Sequence, residues 1–204
     1  MTEPVAPPAR ARRRRPRWAL FAASATAVVV AVLVGFLAVS KKPGDSIDTK
    51  VVGEQAPALA GNLLQVDSGV VGPRPFDLRQ LTPTAGKWVV VNFLASWCIP
   101  CQQEAPELKK WAEEHEAAGN AELVQVVFEK DPSQTAKLLR DNGGASWPVV
   151  AGDSNGIALD WGVAKVPETF LVAPNGVVVL KTIAPVTQQW LDQQLAQARA
   201  ATGQ

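Results

Sequence analysis

From Trp88 to Leu94 the chain reads Trp-Val-Val-Val-Asn-Phe-Leu, almost unbroken in β-branched and aromatic residues. Such a run predicts a strand buried on both faces, as in a parallel sheet covered by helices. The period then changes. Ala105, Leu108, Trp111 and Ala112 recur at helical spacing, with Lys109, Lys110, Glu113, Glu114 and Glu116 on the wet face. This predicts a helix from near Pro100 to a stop at Gly119-Asn120. A second buried strand comes next over Leu123 to Phe128, and Asp131-Pro132 offers an N-cap and first-turn proline for a helix ending at Gly143-Gly144. Trp147 to Val150 reads as a short strand and Asn155 to Trp161 as a short helix. Glu168–Val172 and Val177–Ile183 flank the turn Pro174-Asn175-Gly176, which predicts an antiparallel hairpin. Trp190, Leu191, Leu195 and Ala198 mark a last amphipathic helix. The order β-α-β-α-β-β-α implies an α/β fold, a mixed sheet with helices on both faces. Residues 57–86, interrupted by Pro57, Pro73, Pro75 and Pro83, allow only short strands or a hairpin.

The N-terminal pattern is of another kind. Trp18 to Val39 is 22 residues without a charge, long enough as a helix for the ~30 Å hydrocarbon core of a bilayer. Six arginines precede it (Arg10, Arg12, Arg13, Arg14, Arg15, Arg17), and only Lys41 and Lys42 come close behind. The positive-inside rule then keeps residues 1–17 in the cytoplasm and exports the chain from Ser40 onward. The expected organisation is a basic N-terminus over 1–17, one transmembrane anchor over 18–39, a linker over 40–51 and a single domain over 52–204. A cleaved signal peptide competes, because Ala38-Val39-Ser40 loosely fits a small-residue cleavage site. The apolar stretch is, however, longer than the usual 7–15 residues of such a leader.

Charge narrows the partners. The whole chain has a net charge of +1, but residues 41–204 hold 14 Lys/Arg against 18 Asp/Glu. With no basic groove expected in the exported domain, nucleic acid is demoted as a partner.

The chemistry lies where the first strand runs into the first helix. Cys98 and Cys101 are the chain's only cysteines, in the stretch Ser96-Trp97-Cys98-Ile99-Pro100-Cys101. Residues i and i+3 of a helix are neighbours, at a separation that suits a disulfide. At the helix tip Cys98 faces unpaired backbone N–H groups and the positive end of the helix dipole, which favour its thiolate and lower its pKa. Cys98 is therefore expected to be the exposed, attacking sulfur, with Cys101 tucked one turn in as the resolving thiol. Pro100 costs little, since first-turn N–H groups lack helical partners. A static disulfide would close only a four-residue loop and gain little entropy. A metal site lacks ligands, because the one histidine, His115, falls near the far end of the helix and reads as ordinary helix surface.

The stretch Val91-Asn92-Phe93-Leu94-Ala95-Ser96-Trp97-Cys98-Ile99-Pro100-Cys101, continued by Gln102-Gln103-Glu104-Ala105-Pro106-Glu107-Leu108, resembles the TlpA/ResA group of membrane-anchored, thioredoxin-like thiol–disulfide oxidoreductases. Gly162-Val163-Ala164-Lys165-Val166-Pro167-Glu168-Thr169-Phe170-Leu171-Val172 matches a second family segment, and Val52-Gly53-Glu54-Gln55-Ala56-Pro57 a third, weaker one. The resemblance implies a thioredoxin-like fold behind one transmembrane helix in a bacterial cell membrane, with the catalytic domain outside the cytoplasm. It implies Cys98 as the attacking and Cys101 as the resolving cysteine, and Pro167 as a proline after a cis bond, against the disulfide. It also implies Glu104 as an acid near the dithiol and Glu168 as another beside the proline. Client contacts would fall on Trp97, Ile99, Pro100, Val166 and Glu168, with Trp97 as a rim over the sulfurs. No cofactor is implied. The implied partners are client proteins with disulfides or dithiols, such as the haem-attachment cysteines of apocytochrome c, and a membrane thiol-electron donor.

Asn92 departs from thioredoxin, which carries a buried aspartate six residues before the first cysteine. Asn92 cannot titrate, so a proton relay has to be found elsewhere, which favours Glu104. Three other readings compete with a reductase. A disulfide-donating oxidase of the same fold differs only in potential. A copper-handling module usually needs a histidine on a loop near the cysteines, and His115 is in the wrong helix. A thiol peroxidase would need Thr or Ser at position 95 and Pro at position 91, where Ala95 and Val91 stand.

Overall fold

The computed structural model describes residues 50–66, 70–151 and 154–203. Strands β1 (Ala60–Gln65) and β2 (Val70–Asp77) pair antiparallel, so the proline-broken region does contain a hairpin. A 3-10 turn, Leu78–Gln80, leads to β3 (Trp88–Leu94) and α1 (Ile99–Ala118). Beyond them lie β4 (Ala121–Val127), α2 (Pro132–Asp141), β5 (Val149–Ala151), α3 (Ser154–Asp160), β6 (Glu168–Val172), β7 (Val178–Thr182) and α4 (Gln188–Thr202). The seven strands form one mixed sheet in the order β2-β1-β5-β4-β3-β6-β7. β3, β4 and β5 run parallel, while β6 and β7 return antiparallel.

β3 lies at the heart of this sheet, all seven of its residues buried. Its pleat sends Trp88, Val90 and Leu94 into one apolar layer and Val89, Val91 and Phe93 into the other. The first layer also holds Leu108, Trp111 and Ala112 of α1 and Leu191 and Leu195 of α4. The second is closed by Ile157, Ala158 and Trp161 of α3 and the turn after it. A two-sided sheet of this kind requires the near-continuous hydrophobic strand seen in the sequence.

Helix boundaries obey local chemistry. Asp131 caps α2, its carboxylate accepting from Ser133 N at 3.0 Å, an arrangement that usually contributes about 1 kcal/mol. Gly119, at φ +65°, ends α1 in the left-handed region open to glycine. The Thr82–Pro83 and Val166–Pro167 bonds are cis, the second at the position the family resemblance implied.

His115 is not helix surface. It is buried, with Nδ1 2.7 Å from Asn120 Oδ1, Nε2 2.9 Å from Asp192 Oδ1 on α4, and its ring 4.3 Å from that of Trp111. The physical reason is helical spacing: Cys101, Glu104, Leu108, Trp111 and His115 succeed one another at three or four residues, so His115 continues the buried stripe that α4 covers. Among the described residues no helix is long and apolar enough to cross a membrane. The expected anchor over 18–39 lies outside the described residues.

Candidate functional site

The parallel strands β3 and β4 deliver their C-terminal ends to one edge of the sheet, where ligands and catalytic groups commonly gather in α/β folds. β3 ends at Leu94, and four residues later Cys98 caps α1. Cys98 and Cys101 are joined by a disulfide, with Cα atoms 5.2 Å apart. The backbone N–H of Cys101 points at Cys98 Sγ across 3.2 Å, and Gln102 N donates to Cys98 O at 3.1 Å. The sulfur at position 98 thus takes the place a capping oxygen usually occupies, where the helix end stabilises negative charge.

Exposure corrects one expectation. Cys98 is only 4% exposed and Cys101 1%, so in the bridged form neither sulfur is open to solvent. The exposed surface belongs to their neighbours Trp97 (63%) and Ile99 (65%). Two large apolar side chains thus stand in water beside a buried bridge. Pro100 is also exposed, and Val166 packs against the apolar layer that contains both cysteines.

Glu104 lies one helical turn beyond Cys101 and is 2% exposed. Its Oε1 accepts from Asn92 Nδ2 at 2.9 Å and its Oε2 from Val186 N at 3.0 Å. Burial pushes its pKa up to about 7, against the pull of those two donors. A carboxyl poised near neutrality, one turn from a thiol, is suited to accepting and returning a proton. The same displacement links stability to pH. Below the ordinary carboxyl pKa of about 4.5 Glu104 is neutral both folded and unfolded, whereas at higher pH the folded state resists its ionisation. Stability is therefore expected to fall between about pH 4.5 and pH 7, by on the order of 3 kcal/mol from this residue. Glu104→Gln is expected to flatten that slope in denaturant titrations, and an unchanged slope would contradict the assignment.

Glu168 opens β6, which has neighbours on both sides. It is fully buried, its Oε2 2.8 Å from Lys181 Nζ on β7. Its Oε1 accepts from the N–H groups of Ala164 and Lys165 at 3.2 and 3.4 Å. Lys181 also donates to Gly162 O at 2.8 Å. Glu168 thus anchors the loop into Pro167 from inside the core.

Sequence reasoning missed Glu129. Its carboxylate accepts from Ser96 N at 3.1 Å and Ser96 Oγ at 2.8 Å, while Thr135 Oγ1 donates to it from α2. Gln102 Nε2 holds Ser96 O at 2.7 Å. Together they fix the loop that presents Trp97 and Cys98. The one signal in the sequence is position: Glu129 sits just past β4, at the sheet edge where β3 releases the dithiol. A cavity of about 570 Å³ lies elsewhere, between β1 and the segment before β5, and neither cysteine lines it. Among the described residues no cluster of His, Cys, Asp or Glu is arranged to hold a metal ion.

Residues 52–181 match the model of the AhpC/TSA family. The chain belongs to the AhpC/TSA family. Among its relatives is the thiol:disulfide interchange protein HelX of Rhodobacter capsulatus, 30% identical over 82% of this chain and 88% of that one. The thiol:disulfide interchange protein CycY of Rhizobium leguminosarum bv. viciae is 35% identical over 65% of this chain and 70% of its own. In fold, the crystal structure of a Chlorobium tepidum protein described as a DsbE-type thiol:disulfide interchange protein superposes with a TM-score of 0.59 at 24% identity. It covers 78% of this chain and 99% of that one. Within the AhpC/TSA family this is a thioredoxin-like thiol–disulfide oxidoreductase, in agreement with the TlpA/ResA resemblance read from the sequence.

Proposed function

We propose that the protein is an extracytoplasmic, membrane-tethered reductase of protein disulfides. The reading is carried by the bridged pair at the tip of α1 with a buried carboxyl one turn behind it. In the reduced form the Cys98 thiolate attacks a client disulfide, forming a Cys98–client bond as one client sulfur leaves as a thiolate. Glu104 then takes the proton of Cys101, and the Cys101 thiolate attacks Cys98 Sγ. The Cys98–Cys101 bridge closes, the second client thiolate is released, and protons restore both client thiols. Two electrons have moved from the protein to the client. A membrane thiol-electron donor returns them.

Trp97, Ile99, Pro100 and Val166 offer the client an apolar rim, with Pro167 at its floor and Glu168 holding that loop in place. Clients with paired cysteines, such as apocytochrome c before haem attachment, suit such a surface. Residues 18–39 form the tether, with residues 1–17 in the cytoplasm, 40–51 as linker and 52–204 as the working domain. Ala95 and Val91 stand against a peroxidase, and the buried, partnered His115 against a copper module.

Direction is set by potential. Equilibrated against glutathione buffers, the protein is expected to show a midpoint well below about −200 mV, as a reductase needs. A midpoint near about −120 mV would instead make it a donor of disulfides.

A further inference from the structure

Four buried side chains form one hydrogen-bonded line that ends on Glu104. Asn92 on β3 is the register partner of Gln125 on β4 and of Thr169 on β6, so three polar residues lie side by side across the sheet beneath α1. Trp147, just before β5, donates from Nε1 to Gln125 Oε1 at 2.8 Å. Gln125 Nε2 donates to Asn92 Oδ1 at 3.1 Å. Asn92 Nδ2 donates to Glu104 Oε1 at 2.9 Å and to Thr169 Oγ1 at 3.0 Å. Trp147 is 7% exposed and the others 2% or less.

A side-chain amide has two ends of similar shape and opposite hydrogen-bonding sense, and turning it over exchanges them. An indole N–H can only donate. Trp147 therefore holds the carbonyl of Gln125 toward itself and directs the Gln125 amino group at Asn92. That in turn holds the Asn92 carbonyl toward Gln125 and its amino group toward Glu104. With the Val186 N–H on its other oxygen, Glu104 meets a donor on each side. The carboxylate is satisfied by both, whereas a neutral carboxyl finds no acceptor for its O–H in either.

We propose that Trp147 and Gln125 are positioning residues: they set the direction of this line and so keep Glu104 in the form that accepts a proton. The inference rests on the reading of Glu104 as proton partner of Cys101, and extends it two strands away. The other charged or titratable groups packed around α1 are engaged elsewhere. Cys98 and Cys101 are bridged, Glu107 binds Lys110 and Gln188 N, and His115 binds Asp192. Glu129 holds Ser96, Lys87 pairs with Glu122 where β3 and β4 begin, and Glu168 pairs with Lys181. Glu104 is left with the two donors already named.

The test is a ¹³C NMR titration of the Glu104 carboxyl in the reduced full-length protein. Trp147→Phe removes the donor that fixes the line. Both amides can then turn over when Glu104 is protonated, and Asn92 Oδ1 accepts the carboxyl O–H. The midpoint is expected to rise by about one pH unit, a tenfold gain in proton affinity. Gln125→Met frees Asn92 in the same way and is expected to move the midpoint in the same direction; it carries the test if Trp147→Phe does not fold. Leu195→Ala opens the same apolar layer from α4, outside the line and the strands that carry it, and is expected to lower thermal stability while leaving the midpoint in place. Unmoved midpoints in the line variants, or an equal rise in Leu195→Ala, would overturn the proposal. If instead Glu104→Gln left client release as fast as before, Glu104 would lose its part in the reaction, and the polarity of the line would stand.

Discussion

Cys101→Ser is expected to convert the protein into a trap, with client proteins accumulating as mixed disulfides on Cys98. The expectation comes from the division of labour at the tip of α1. Cys98 caps the helix and receives the Cys101 N–H on its sulfur, the position that favours a thiolate. Cys101 sits one turn inside, within disulfide reach, and no other cysteine exists in the chain to replace it. Well-oriented intramolecular attack reaches effective molarities of about 10⁵ M or more, so leaving resolution to a millimolar external thiol slows release by orders of magnitude. Non-reducing electrophoresis of the variant after exposure to disulfide-bearing clients is expected to show adducts that vanish on reduction. Cys98→Ala, by contrast, is expected to form none. If adducts failed to build up on Cys98, or formed equally on Cys101 in the Cys98 variant, the assignment of attacker and resolver would be lost.

Much of this site is legible in the residue pattern alone. The continuous apolar run at 88–94 suits only a strand covered on both sides, and the period change after it places the cysteines at a helix start. What the pattern does not supply is depth. Helix tips usually face solvent, which makes an exposed Cys98 the natural expectation, but Trp97 and Ile99 take the solvent and leave the bridge beneath. For His115, distance from the cysteines along the helix is the wrong guide, because its phase already places it on the buried stripe. Glu129 and the Trp147–Gln125–Asn92 line escape the pattern for a different reason. Each depends on strand neighbours far apart in sequence, and strand order is not written in periodicity. β5 pairs with β1 as well as β4, which places the segment before it against residues no local pattern links to it.

Such long-range pairing also gives the largest stability effect expected outside the cysteines. Lys181→Met is expected to destabilise the fold by about 3–5 kcal/mol, since it strands a buried carboxylate. Lys181 is 2% exposed, its ammonium 2.8 Å from Glu168 Oε2 and from Gly162 O and 5.1 Å from the centre of the Phe170 ring. Glu168 Oε2 accepts no directed hydrogen bond among the described residues, so the nearby positive charge is what compensates its burial. A pair of this kind is not in itself a large source of stability, because desolvation offsets most of the attraction. Breaking it from one side is another matter. In thermal melts the loss corresponds to a fall in Tm on the order of 10 °C. Adding Glu168→Gln to Lys181→Met is expected to recover most of it, because glutamine keeps an oxygen for the Ala164 and Lys165 N–H groups and carries no charge. The residues between Gly162 and Pro167 are tied to the sheet through this pair, so the single variant is also expected to exchange backbone amide protons faster over that loop, with the double variant close to wild type. Equal melting of Lys181→Met and wild type, or no recovery on adding Glu168→Gln, would mean that the carboxylate is compensated by something other than Lys181.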